Sequence, residues 1–181
     1  MTRRLLAVLL AGTLAAVPTT LRAQLNSSFG IAAGLAAPVS DLGNVADAGY
    51  NLAAHLNLGA PLIPIGVRLE GAYNSFNGKS SLASTSQVHI LSGTVNAQVA
   101  LGPSGASPYV IGGVGLYKRS FTNTTTSNGD RTAGGFNLGA GLRFPLGVMS
   151  TFVEARYHRM LGNSVDSTDL AYVPVTFGIN F

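Results

Sequence analysis

Apolar side chains recur at every second position in segment after segment of this chain. A period of two admits strands, where a period near 3.6 would admit helices. Residues 136–144 show it plainly. Phe136, Leu138, Ala140, Leu142 and Phe144 share one face, and Asn137, Gly139, Gly141 and Arg143 share the other. Reading the alternation between clusters of turn residues gives eight segments. They run from about Ser28 to Ala36, Tyr50 to Leu58, Ile65 to Asn74, Gln87 to Leu101, Tyr109 to Lys118, Gly135 to Phe144, Thr151 to Arg159 and Tyr172 to Phe181. In the fifth segment glycine falls on both faces, so alternation alone does not rank them.

The N-terminus is a different kind of sequence. Arg3 and Arg4 precede an apolar run from Leu5 to Val17, which is too short to span a bilayer as a helix, since that takes about 20 residues. Leu21-Arg22-Ala23 then places a small residue before Gln24. This predicts a secretory signal peptide over residues 1–23 and one domain over 24–181. Without the leader's three arginines (Arg3, Arg4 and Arg22), the 11 basic residues become 8 against 7 acidic ones. A near-neutral mature chain gives no reason to expect nucleic acid as a partner. The chain has no cysteine, so disulfides, thiolate metal sites and thiol nucleophiles are excluded.

An alternating strand can turn its apolar face inward to a soluble core or outward to lipid. Three features predict the outward choice. Charged residues are 10% of the chain, against roughly 25% in soluble domains. The face opposite the apolar one is small and polar, fit to fill a narrow lumen rather than a hydrophobic core. Aromatic pairs eight residues apart, Tyr109 with Tyr117 and Phe136 with Phe144, are read as girdles at the edges of an apolar band. Connections after odd segments are long and polar, such as Pro38 to Gly49 and Arg119 to Gly134. Those after even segments are short, such as Pro145 to Gly147. In hydrocarbon every backbone group must be paired, so a spanning sheet has to close. The expected fold is an all-β, eight-stranded, antiparallel, up-and-down transmembrane β-barrel of a bacterial outer membrane.

The final residues, Val173-Pro-Val-Thr-Phe-Gly-Ile-Asn-Phe181, resemble the C-terminal strand signature of bacterial outer-membrane proteins. Pro108-Tyr-Val-Ile-Gly-Gly-Val-Gly-Leu-Tyr117 resembles a strand of the small OmpA/OmpX-type barrels, and Val153-Glu-Ala-Arg-Tyr-His158 a later strand of the same group. The resemblance covers essentially all of the mature chain and speaks for architecture more than for activity. It implies that the barrel-assembly machinery reads the last strand through Val173, Val175, Phe177, Ile179 and Phe181. No peptidoglycan-binding domain is expected after the barrel.

Within the strands, charges sit on the polar face. Arg68 and Glu70 on the third segment and Glu154 and Arg156 on the seventh come to similar heights on opposite walls, and are expected to form a mid-lumen network. His55 is expected to pair across its hairpin with Arg68. Such a network either gates ions or simply plugs the lumen and fixes the strand register. Lys118, Arg119 and Arg131 near the outer rim are candidates for lipopolysaccharide phosphates. His55, His89 and His158 fall on separate segments without metal spacing, and no Ser stands two residues from His158 as a deacylase pattern would need. Gly112-Gly113 and Gly134-Gly135 lack the Lys-Ser/Thr of a phosphate loop, and the sequons at Asn26 and Asn123 are read as chance.

The expectation is a monomeric, non-enzymatic barrel with a structural or surface-interaction role, contacting lipid and lipopolysaccharide and needing no cofactor or metal. The alternatives are a narrow porin-like channel for small solutes or hydrophobic molecules, a lipid A-modifying barrel enzyme, and a soluble lipocalin-like binder.

Overall fold

The computed structural model describes residues 26–59, 65–78, 87–102, 106–122, 131–161 and 170–181. The leader expected over residues 1–23 lies outside them. Eight strands are present: β1 (Asn26–Val39), β2 (Gly49–Gly59), β3 (Ile65–Asn77), β4 (Gln87–Ala100), β5 (Ser107–Thr122), β6 (Arg131–Leu146), β7 (Met149–Met160) and β8 (Leu170–Asn180). Each pairs antiparallel with its sequence neighbour, and β1 pairs with β8 through registers such as Ile31↔Ile179 and Leu35↔Val175. The sheet is therefore a closed barrel with no edge strand.

Alternation assigns the faces. Leu35, Val114, Leu116 and Leu138 on the outside are 64–72% exposed, while Arg68, Glu154 and His158 on the inside are 0–2% exposed. Phe29, Phe136, Phe177 and Phe181 also face outward, which overturns the soluble inverse that would have buried them. Leu138 lies near the middle of β6. Leu138→Arg is therefore expected to cost about 2–4 kcal/mol, and Leu146→Arg beside the β6–β7 turn about 0–1, in equilibrium folding into vesicles. Equal costs at the two sites would contradict a lipid-facing band.

The expected girdle pair Tyr109 and Tyr117 is corrected. Both tyrosines face the lumen and are at most 2% exposed, whereas Phe136 and Phe144 do face outward. The fifth strand's lipid face is Val110, Gly112, Val114 and Leu116. The expected loops are also shorter than read. β1 runs on to Val39, β3 to Asn77 and β5 to Thr122, while β6 begins at Arg131. Apolar alternation ends where lipid ends, but backbone pairing continues into the extracellular hairpins, where water tolerates polar side chains. The rest of those loops, residues 79–86, 123–130 and 162–169, lies outside the described residues.

After β1 the chain forms a short helix, α1 (Ser40–Val45), that the alternation did not show. The Leu42 side chain, 1% exposed, and Ala46 drop into a cluster with Phe76, Val88, Ile90, Tyr117, Met160, Leu170 and Tyr172. An apolar layer thus crosses the lumen toward its extracellular end. At the opposite end, β6 and β7 join through Gly147-Val148. Gly147 has φ +62°, a left-handed value that suits glycine at the first position of a two-residue hairpin loop.

Candidate functional site

Below the apolar cluster the lumen is charged. β3 and β7 stand on opposite walls of the eight-strand closure and run in the same direction. β3 carries Arg-x-Glu at 68–70 and β7 carries Glu-x-Arg at 154–156. A strand's period of two puts each pair on one face, so every arginine meets a glutamate across the lumen. Arg68 Nη1 donates to Glu154 Oε2 at 2.9 Å. Arg156 Nη2 donates to Glu70 Oε1. Along one wall, Arg156 Nε lies 2.7 Å from Glu154 Oε1, and Arg68 Nη1 lies 3.9 Å from Glu70 Oε2 on the other. The ring is neutral, and all four side chains are at least nine-tenths buried.

Neighbours complete it. The Tyr109 hydroxyl donates to Glu154 Oε2 at 2.7 Å, and Arg68 Nε donates to Asn57 Oδ1 at 2.8 Å. The Arg68 guanidinium also lies 5.1 Å from the Phe152 ring centroid. Glycines make room for the larger groups. A Cβ at Gly139 would strike the stem of Arg156, its cross-strand partner, and one at Gly141 would strike the ring of Tyr109. Close approach of a neighbouring side chain, rather than a turn, explains these strand glycines.

His55 corrects the expected pairing. Its cross-strand partner is Glu70, while Arg68 faces Asn57. The His55 ring instead meets Asn180 Oδ1 through Nε2 at 2.8 Å and packs edge-on to Phe152 at 5.5 Å. His158 sits higher. It is stacked on Tyr172 at 4.9 Å, with Nδ1 3.1 Å from the Tyr117 hydroxyl. The sequence reading missed Tyr109, Asn57, Phe152 and Asn180. The aliphatic set on even positions of β5 was the available signal for Tyr109, since it marks the odd positions as lumenal.

The rim candidates divide. Lys118 lies on the lipid-facing side of β5, with Arg159 of β7 on the same side of the wall. Arg119 and Arg131 are cross-strand partners on the lumen-facing side at the extracellular mouth. Val175, Phe177 and Phe181 of the last strand are exposed on the lipid face, and Val173 and Ile179 are half-buried on it. Among the described residues no group of three or more His, Asp or Glu side chains is placed to hold a metal ion.

Comparison with known proteins adds three findings. A family model described as "Outer membrane protein beta-barrel domain" matches residues 5–181. Among curated proteins none matches. The fold is similar to three solved structures. Neisserial surface protein A has TM-score 0.62 at 12% identity, covering 86% of this chain and 97% of that one. Ail, the attachment invasion locus protein of Yersinia pestis, crystallised with the heparin analogue sucrose octasulfate, has TM-score 0.53 at 19% identity, covering 87% and 99%. The N-terminal β-barrel domain of Pseudomonas aeruginosa OprF has TM-score 0.51 at 19% identity, covering 87% and 100%.

Proposed function

This chain belongs to the family of outer membrane protein beta-barrel domains and is a protein of the outer membrane, and from that premise we propose that it acts there as a sealed, non-enzymatic barrel with a structural or surface-interaction role. The observation that supports a sealed lumen is its double closure. The Arg68–Glu154–Arg156–Glu70 ring fills the middle, and the Leu42–Phe76–Tyr172 cluster fills the extracellular end. Ions crossing would have to break charged hydrogen bonds and then enter a dry, apolar stretch. Among the described residues, neither layer pairs a serine hydroxyl with His158. His158 is enclosed by two tyrosines, and Ser92 Oγ donates to the Ala72 carbonyl at 3.4 Å.

Planar bilayers test the sealed state. The wild-type barrel is expected to add no current above the bare bilayer. The Glu70→Ala/Glu154→Ala variant is expected to stay closed as well, because the apolar cluster remains. Steady unitary currents in the variant would favour the second reading, a narrow channel in which the ionic ring is the gate.

The surface role that the geometry favours is contact with lipopolysaccharide. Lys118 and Arg159 lie on the outward side near the extracellular ends of β5 and β7, where basic side chains could meet phosphates of the outer leaflet. Lys118→Ala and Arg159→Ala are each expected to weaken lipopolysaccharide retention about fivefold, from ~1 kcal/mol per basic side chain at an anionic surface. Unchanged co-purification in the double variant would remove this reading.

A further inference from the structure

The periplasmic mouth of the lumen holds a cavity of about 260 Å³, and its wall is rich in hydrogen-bond donors. Arg143, at the end of β6, lines it, with its guanidinium 5.5 Å from the Tyr109 ring centroid. Among the described residues Arg143 makes no ion pair, and no carboxylate lines the cavity. The Glu154 carboxylate behind Tyr109 is already held by Arg68 and Arg156. Gln98 lines the same cavity. It is 7% exposed, and its Nε2 has no hydrogen-bond acceptor among the described residues.

Two serines add donors. Asn57 Nδ2 donates to Ser28 Oγ at 3.2 Å, and Asn180 Nδ2 donates to Ser150 Oγ at 3.1 Å. Each serine oxygen thus accepts from an amide on the wall, and each hydroxyl keeps its own proton to donate. Both serines line the cavity. In the central ring above, Arg68 and Arg156 are matched by Glu70 and Glu154. Among the described residues at this mouth, that leaves the Arg143 guanidinium as the charge without an ion pair.

An arginine with neutral donors around it and no competing acid is the chemistry of an oxyanion site. Size narrows the occupant. A water takes about 30 Å³ of liquid, and drug-sized ligands need roughly 300–1,000 Å³, so the cavity suits a phosphate-sized ion with a few waters. We propose that the periplasmic vestibule binds a phosphate oxyanion, free or carried on a lipid headgroup, through Arg143 with Gln98, Ser28 and Ser150 as neutral donors.

The test is calorimetric titration of inorganic phosphate into the full barrel in a phosphate-free maltoside detergent at low salt. Saturable binding is expected. It should weaken about tenfold or more in Arg143→Gln and measurably in Gln98→Leu, with the unboiled gel band still compact. Arg131→Gln, at the other mouth, should leave it unchanged. Absence of saturation, equal binding in Arg143→Gln, or loss in Arg131→Gln overturns the site. Should Arg143→Gln not fold, Gln98→Leu decides, and unchanged affinity there overturns it. Repeating the titration in phosphatidylglycerol nanodiscs identifies the source. Weaker phosphate binding there assigns the site to a headgroup, and unchanged binding assigns it to the free ion.

Discussion

Replacing Glu154 with alanine is expected to destabilise the barrel by about 3–5 kcal/mol, the cost of breaking a buried ion pair from one side. Three groups hold Glu154: Arg68 and Tyr109 donate to one carboxylate oxygen, and Arg156 pairs with the other at 2.7 Å. Its loss leaves the fully buried Arg68 with Glu70, at 3.9 Å, as its one counter-charge among the described residues. Glu154→Gln keeps the volume and one acceptor, so its cost should be smaller. Removing Arg68 as well should return part of the loss, and the coupling in a double-mutant cycle should reach about 0.5–3 kcal/mol. The chain has no tryptophan, so urea unfolding in lipid is best followed by far-ultraviolet circular dichroism or by the unboiled band. A loss below about 1 kcal/mol for Glu154→Ala would mean that water reaches the ring, and the lower of the two closures would fall with it.

The same residues show how much of this site alternation could reveal. In a barrel meeting lipid, a charge near the middle of a strand marks the inward face, because the outward one is costly at mid-depth. Arg68, Glu70, Glu154 and Arg156 therefore declared their side of the wall, and the antiparallel count placed β3 opposite β7. Register was less legible. Sliding a hairpin by two residues keeps every side chain on its face, so alternation could not separate His55 opposite Arg68 from His55 opposite Glu70. Strand five resisted for another reason. Glycine on both faces erased the contrast there. What settles Tyr109 as lumenal is its pairing with Gly141, which leaves space for the ring. The helix α1 was illegible locally. Ser40–Val45 is six residues long and contains Gly43 and Asn44, weak helix formers, so its own propensity cannot sustain it. Docking of Leu42 into the lumen holds it, and that contact exists only once the barrel has closed.

Phe76→Ala is accordingly expected to act on the upper layer as strongly as Glu154→Ala acts on the lower. Truncating a fully buried phenylalanine costs about 3–5 kcal/mol, through lost transfer energy and the cavity left behind. Phe76 packs edge-on to Tyr172 with centroids 5.6 Å apart, in the cluster that also receives Leu42. The strands beneath it are tied by a full ladder, whereas the turn that leaves α1 is held by Ala46 N–H to the Leu42 carbonyl at 2.9 Å and Asp47 N–H to the Asn77 carbonyl at 2.7 Å. Local opening draws on the weakest unit first. Amide exchange at Ala46 and Asp47 should therefore quicken in Phe76→Ala while amides of β3 and β7 around the ionic ring stay protected. Conductance should remain absent, since the ring still closes the lumen. If β7 exchange quickened equally, the two layers would be one cooperative plug, and neither could open alone as a gate.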